Sequence, residues 1–158
     1  NKTATLQALE NTNQVLYFGH FSAKAAQPLN NYLALGCQTN GQAETLPIHQ
    51  LLTSTAPPLH LFFVAGCEST DGKNIPGEGL EGLERVLLLR GTEHVVVARW
   101  KVDDIATAFF TDAFFLAQAD GNSPAAALRQ ARQQLREEHS YFSAPYYWSG
   151  MKLVSRAN

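Results

Sequence analysis

Two apolar runs, each followed at once by a reactive side chain, constrain this chain more than any other feature. The first covers residues 15–18 and leads through Gly19 to His20, and the second covers residues 61–65 and leads through Gly66 to Cys67. Unbroken apolar runs rich in β-branched and aromatic residues are typical of parallel strands buried on both faces. Because open α/β sheets bind ligands beyond the carboxyl ends of their strands, the pattern predicts that His20 and Cys67 are functional groups at that edge.

Helix and strand signals alternate along the rest of the chain. Gly91 marks the end of one helix, Ser123-Pro124 opens another, and Asp103 or Asp104 caps the helix between them. We expect helices at 5–9, 47–52, 80–90, 103–119 and from 123 onward. We expect strands at 15–18, 61–65, 95–100 and 146–154. A hairpin within 29–48 is expected to turn at Asn40-Gly41, and residues 68–79 are expected to form a mobile loop. This alternation predicts a three-layer α/β/α sandwich with a mostly parallel sheet. A chain of 158 residues fits one domain.

Composition argues against several classes of protein. With 12 Lys and Arg, 14 Asp and Glu and a net charge of −2, the chain has no basic excess to favour nucleic acid. No run of 18 apolar residues and no basic-then-apolar amino terminus is present, so we expect no membrane span and a cytoplasmic location. Two cysteines occur, and a chain of this size does not need a disulfide. We expect Cys37, in the hairpin, to be a structural thiol.

The order of these motifs resembles that of CHAT domains, which are caspase-like relatives of separase and are often attached to tetratricopeptide repeats. His20 precedes Cys67 by 47 residues, close to the spacing of roughly 50 in caspase-type proteases. The resemblance covers nearly the whole chain and runs through Gly66-Cys67-Glu68-Ser69, Gly77-Glu78-Gly79, residues 95–104, residues 126–132 and Tyr147-Trp148. It implies a caspase-like sandwich over residues 1–158 that lacks its first strand-helix unit. Another segment of the precursor, or a partner chain such as a tetratricopeptide repeat protein, would then pair with the exposed edge.

The resemblance also implies a chemistry, that of a cysteine endopeptidase acting on a protein or peptide substrate. Cys67 would be the nucleophile and His20 the acid and base, with no cofactor and no third acidic member. The backbone N–H groups of Cys67 and Phe21 would stabilise the oxyanion. The family usually has Gly or another small residue where this chain has Phe21. If φ is positive there, Phe21 is strained and its N–H misdirected; if φ is negative, Phe21 only narrows the cleft.

Three residues at or just beyond the end of the 95–100 strand are candidates for binding substrate. Asp104 resembles the acid with which separases receive a basic side chain, and it also lies where a helix needs a cap. Trp100 is expected either to line the substrate groove or to pack in the core. Arg99 lies beside it.

Other functions fit the sequence less well. Glutamine amidotransferases place Cys before His, the reverse of this chain. Structural zinc needs ligands in close pairs, which the histidines at 20, 49, 60, 94 and 139 and the two cysteines do not offer, so no metal is expected. The G-x-G-x-x-G pattern at 77–82 does not directly follow a strand and carries two Glu that repel phosphate. The main alternative is a catalytically silent CHAT domain that serves as a scaffold or docking module. Retention of His20 and Cys67 argues against it, and Phe21 argues for it.

Overall fold

A computed structural model of the chain describes residues 1–22, 31–38, 40–66, 68–69 and 78–157. Cys67 and residues 70–77 of the expected loop lie outside the described residues. Residues 68–69 and 78–79, also expected in that loop, belong instead to a strand and to a helix. The strands are β1 (Gln14–Phe18), β2 (Phe21–Ser22), β3 (Tyr32–Cys37), β4 (Ala43–Pro47), β5 (Leu61–Ala65), β6 (Glu68–Ser69), β7 (His94–Ala98) and β8 (Met151–Ser155). The helices are α1 (Lys2–Leu9), α2 (Ile48–Leu52), α3 (Glu78–Leu89), α4 (Asp104–Ala119), α5 (Pro124–Glu138) and α6 (Pro145–Trp148).

The described strands form two sheets of four. The main sheet has the order β1-β5-β7-β8, in which β1, β5 and β7 are parallel and β8 is antiparallel. The second sheet has the order β4-β3-β2-β6, with β3 and β4 forming the expected hairpin around Gly41. Every residue of β5 is buried, as its unbroken apolar run predicts. The expected α/β class with a mostly parallel main sheet is therefore confirmed.

Helices cover both faces of the main sheet. Phe63 of β5 packs against Phe114 and Phe115 of α4, with ring centroids 5.0 and 5.5 Å away. Neighbouring side chains of a strand point to opposite faces, so Phe62 points to the other face of the sheet. There it lines a cavity of about 310 Å³ together with Leu9 of α1 and other apolar residues from α2 and the second sheet. Helices α4 and α5 pack together over the first face, whereas α2 and α3 pack together over the second. These contacts make the three layers.

Local capping explains where the two long helices begin. The Asp103 carboxylate accepts hydrogen bonds from the N–H groups of Ile105 and Ala106, so the cap of α4 is Asp103 and not Asp104. The Ser123 hydroxyl caps α5 in the same way, with Pro124 at the first helical position.

One expected strand is partly wrong. Residues 146–148 belong to the short helix α6, and the strand β8 begins only at Met151. The aromatic residues there favour a strand by propensity, but Pro145 at the first helical position supports a helical turn. Gly150 then permits a close approach, because a Cβ at that position would lie 2.8 Å from Val102 Cγ1.

Strand β1 forms one edge of the main sheet and leaves apolar side chains in water. Its only neighbour in the described sheet is β5. Leu16 and Phe18 are 47% and 59% exposed, on the face that α4 covers farther along the sheet. An exposed apolar edge of this kind is a surface on which another strand or chain can pair.

Tyr17 links β1 to the second sheet. Its hydroxyl oxygen lies 2.8 Å from the Ala34 carbonyl oxygen and 2.6 Å from that of His20, so the O–H can donate to either. Burial raises the pKa of Tyr17 to about 12, opposed in smaller part by the hydrogen bond to Ala34. The hydroxyl therefore stays protonated in the folded chain at pH values where an unfolded tyrosine ionises.

We expect Tyr17→Phe to lower the unfolding free energy by about 0.5–1.5 kcal/mol near neutral pH, the value of a typical hydrogen bond. The folded pKa lies above the ordinary value of 10.0, so the hydroxyl's contribution is complete below pH 10.0 and is lost as the pH rises towards about 12. The gap between wild type and Tyr17→Phe in urea unfolding should therefore narrow over that interval. A gap that stays constant would contradict this account.

Candidate active site

The carboxyl ends of β1 and β5 lie side by side at one edge of the main sheet. Phe18 pairs with Ala65 at the ends of these parallel strands, and a glycine follows each. A Cβ on Gly66 would lie 2.0 Å from the Gly19 carbonyl oxygen, a distance that backbone atoms cannot tolerate. Only glycine at position 66 allows the two segments to stay this close beyond the sheet.

The pairing continues past these glycines into the second sheet. Phe21 of β2 pairs in parallel with Glu68 of β6. The partners Phe18 and Ala65 are 47 positions apart in the chain, and so are Phe21 and Glu68. The register is thus the same on both sides of His20, although Cys67 itself lies outside the described residues.

The backbone of His20 is held by neighbouring elements. Its carbonyl oxygen accepts a hydrogen bond of 2.9 Å from the Ala34 N–H of β3 and lies 2.6 Å from the Tyr17 hydroxyl. The side chain of His20 is exposed, and its imidazole has no hydrogen-bond partner within the described part of the chain. The backbone at His20 is therefore anchored, whereas its ring lies at the surface.

Phe21 resolves the two alternatives drawn from the sequence. No described non-glycine residue has a positive φ, so Phe21 adopts an ordinary extended backbone without left-handed strain. Its side chain is 0% exposed and belongs to the core, so it does not narrow a cleft. Its backbone lies in β2, which pairs with β3 on one side and β6 on the other.

The residues after β7 occupy the same end of the sheet. Trp100 is half-buried, stacks on Tyr146 of α6 at a centroid distance of 6.3 Å and donates its indole N–H to the Tyr146 carbonyl at 3.2 Å. Arg99 has an exposed side chain, and its N–H donates to the Gly150 carbonyl at 2.7 Å. Arg99 also acts on Arg132 of α5: burial is the main cause that lowers the pKa of Arg132, and the positive charge of Arg99 lowers it further. Trp100 thus joins the end of β7 to α6.

Asp104 differs from its neighbour in what its carboxylate contacts. It lies in the first turn of α4, is exposed, and has no hydrogen-bond or ion-pair partner among the residues that the structure describes. Asp103 already satisfies the cap. The charge of Asp104 is therefore available to a ligand at the helix terminus.

Cys37 is not the structural thiol expected from the sequence. It is a free thiol at the end of β3, and it is exposed. It pairs with Ala43 of β4 at the end of the hairpin, where both residues are exposed.

A polar cluster at the opposite edge of the main sheet was missed by sequence reasoning. His60 directly precedes β5, Glu93 directly precedes the adjacent strand β7, and His94 begins it. A ligand atom from each of the three can be chosen so that all three atoms lie within 4.8 Å of one another. Burial and the charge of His60 lower the pKa of His94, and Glu93 opposes this. The signal was present in the sequence, because residues that precede two parallel neighbours meet at one edge. These ligands are not close pairs along the chain, so the spacing rule for zinc sites does not reveal them.

No helix in the described ranges combines the length and apolar character needed to cross a membrane.

Comparison with known proteins agrees with this arrangement. A mouse protein, tetratricopeptide repeat protein 28, is 28% identical over 114 residues, which cover 68% of this chain. The aligned region is only 5% of the length of that relative. The family model of the CHAT domain matches residues 1–156 of the 158. This match spans both sheets and the edge that carries His20, and the chain therefore belongs to the CHAT domain family.

Proposed function

We propose that this chain is a caspase-like cysteine endopeptidase that cleaves protein or peptide substrates with a dyad of Cys67 and His20. The observation that carries the proposal is the 47-residue register between partner strands on both sides of His20, since the same interval separates His20 from Cys67 in the sequence. If His20 and Cys67 follow the same register as the residues on either side of them, the Cys67 thiol lies beside the His20 imidazole. Membership of a caspase-like family supports the same pairing.

The proposed reaction has two covalent steps. His20 takes the proton of the Cys67 thiol, and the thiolate attacks the carbonyl carbon of the scissile peptide. The tetrahedral oxyanion collapses to a thioester when His20 gives its proton to the departing amine. His20 then accepts a proton from water, whose oxygen attacks the thioester. Collapse of the second oxyanion releases a carboxylic acid and returns the proton to the thiol.

The proposed oxyanion donors are backbone N–H groups. We place the N–H of Cys67 first and that of Phe21 second, as membership of the CHAT family implies. Loss of one such donor typically costs about 2.7–4 kcal/mol of transition-state stabilisation. The extended backbone of Phe21 is compatible with this role, since no left-handed strain turns its N–H away.

Substrate selection is proposed to depend on the residues after β7. The unpartnered carboxylate of Asp104 is suited to receive Arg or Lys of the substrate, and a guanidinium could bind it through two parallel hydrogen bonds. Trp100 and Arg99 would line the adjacent surface, the first through its half-buried indole and the second through its exposed charge.

The dyad is tested by the relative reactivity of the two thiols in the same chain. We expect iodoacetamide to label Cys67 at least about tenfold faster than the exposed Cys37 near neutral pH, because the rate follows the thiolate fraction and access. His20→Gln should slow labelling of Cys67 and leave Cys37 unchanged, as peptide mass spectrometry would measure. Equal rates, or an unreactive Cys67 in the folded chain, would favour the silent domain.

Selectivity is tested with two adjacent carboxylates. Asp104→Asn should lower kcat/KM for substrates with Arg at the recognised position by about tenfold and leave uncharged substrates unaffected, because only the charge is removed. The matched control is Asp103→Ala, which should lower the unfolding free energy by about 1 kcal/mol through loss of the α4 cap without changing the preference. If Asp104→Asn leaves the ratio of basic to uncharged substrates unchanged, Asp104 does not bind substrate.

A second function, as a docking module, is favoured by the apolar edge at β1. We propose that a further strand and helix, from the same polypeptide or from a partner chain, covers Leu16 and Phe18. The similarity to a tetratricopeptide repeat protein supports such an association. The edge and the dyad are separate features, so docking could accompany catalysis.

This edge predicts self-association of the chain when no other segment covers it. Sedimentation velocity should show a concentration-dependent increase in size, which Leu16→Thr with Phe18→Thr reduces while preserving strand propensity. The control is Leu89→Gln, which alters an apolar side chain of α3 that is more exposed than either Leu16 or Phe18. A chain that stays monomeric at all concentrations would argue against a pairing surface at β1.

A further inference from the structure

A cluster of two histidines and one glutamate lies at the amino-terminal edge of the main sheet, at the opposite end of the strands from His20. Backbone hydrogen bonds hold these residues in position. The His94 N–H donates to the His60 carbonyl at 3.0 Å, and the Glu93 N–H donates to the Leu59 carbonyl at 2.9 Å. The backbone of the cluster is therefore part of the β5–β7 ladder, and its spacing does not depend on a loop.

The side chains converge with the geometry of a metal site. The His60 Nδ1 lies 2.7 Å from Glu93 Oε2, and the rings of His60 and His94 are 5.1 Å apart between centroids at an angle of 89°. Two imidazoles bound to one tetrahedral zinc ion, with Zn–N distances of about 2.0–2.1 Å, have ring centroids about 5 Å apart. The two rings thus need little movement to share an ion.

The Ser155 hydroxyl of β8 orients His94. His94 Nδ1 lies 2.9 Å from this hydroxyl, which leaves Nε2 as the nitrogen that can bind an ion, and such supporting hydrogen bonds are a regular feature of metal-ligating histidines. His60 Nδ1 and Glu93 Oε2 already lie 2.7 Å apart, so a single ion could replace the hydrogen bond between them and bind both atoms.

The cluster is open to solvent. His60 and Glu93 are 39% and 60% exposed at their side chains, and a cavity of about 640 Å³ lies beside Glu93, His94 and Ser155. Arg156 lines the same cavity, and its positive charge opposes a cation. An ion could enter directly from water and would keep water in its remaining positions, as in an exchangeable site.

We propose that His60, Glu93 and His94 bind one divalent transition-metal ion, with Zn²⁺ as the ion best suited to two imidazoles and a carboxylate. Imidazole ligands select Zn²⁺, Cu²⁺ and Ni²⁺ over Mg²⁺ and Ca²⁺, which prefer oxygen. The bound ion joins the beginnings of β5 and β7 and, through Ser155, the end of β8. It stabilises the folded chain because the three ligands are assembled only there.

The site is tested by titrating zinc chloride into the whole reduced chain by calorimetry, with thermal unfolding followed in zinc and in EDTA. We expect one equivalent of Zn²⁺ to bind and to raise Tm, EDTA to reverse the rise, and MgCl₂ to do neither. Cys67→Ser should bind Zn²⁺ as the wild type does, which separates this site from the proposed dyad. Absence of both binding and a Tm shift in excess zinc would overturn the proposal.

Variants assign the ligands. His60→Gln and His94→Gln should each weaken Zn²⁺ binding by at least about tenfold, and Ser155→Ala by about 10- to 100-fold if it orients His94. His139→Gln, which alters a histidine at the end of α5, is the matched control and should bind normally. Because Glu93 is exposed, Glu93→Gln should fold even if a histidine variant does not, and it should also weaken binding. Unchanged affinity in folded His94→Gln, or loss with His139→Gln or Cys67→Ser, would place the ion elsewhere.

Discussion

The close approach of two backbone segments at Gly19 and Gly66 is the constraint on which the rest of the site depends. A single additional carbon at Gly66 would lie 2.0 Å from the Gly19 carbonyl oxygen. Because this contact is allowed, the neighbours β1 and β5 keep the same register as they leave the main sheet and continue as β2 and β6. A shift at this point would change every pairing after it and would move His20 relative to the end of β5.

The second sheet supports this crossing from one side. Phe21 inserts its side chain fully into the core, and since neighbouring residues along an extended chain alternate in direction, the adjacent His20 points the other way and is exposed. The Tyr17 hydroxyl and the Ala34 N–H both reach the His20 carbonyl. The residue that departs from the family pattern therefore acts as a core anchor, and its size is accommodated without backbone strain.

A parallel sheet brings residues that are distant in the chain together at the two edges where its strands begin and end. In this chain the side chains at the two edges differ in their chemistry. Side chains that follow β1 and β7 lie at the carboxyl edge, which in α/β proteins is the usual place for ligands. Those that precede β5 and begin β7 lie at the opposite edge, where His60, Glu93 and His94 meet. Residues 60 and 94 are far apart in the chain, and the pairing of Leu61 with His94 alone makes them neighbours.

Local signals in the sequence were enough to predict several elements. The apolar runs of β1, β5 and β7, the Ser123 cap and the hairpin turn at Gly41 could all be predicted, because each depends on a few adjacent residues. Tertiary structure decided what depended on distant partners: the exposure of the β1 edge, the burial of Phe21 and the cluster around His60. Periodicity and capping are properties of neighbours along the chain, whereas register and burial are set by which segments pack together, and no local pattern specifies that choice.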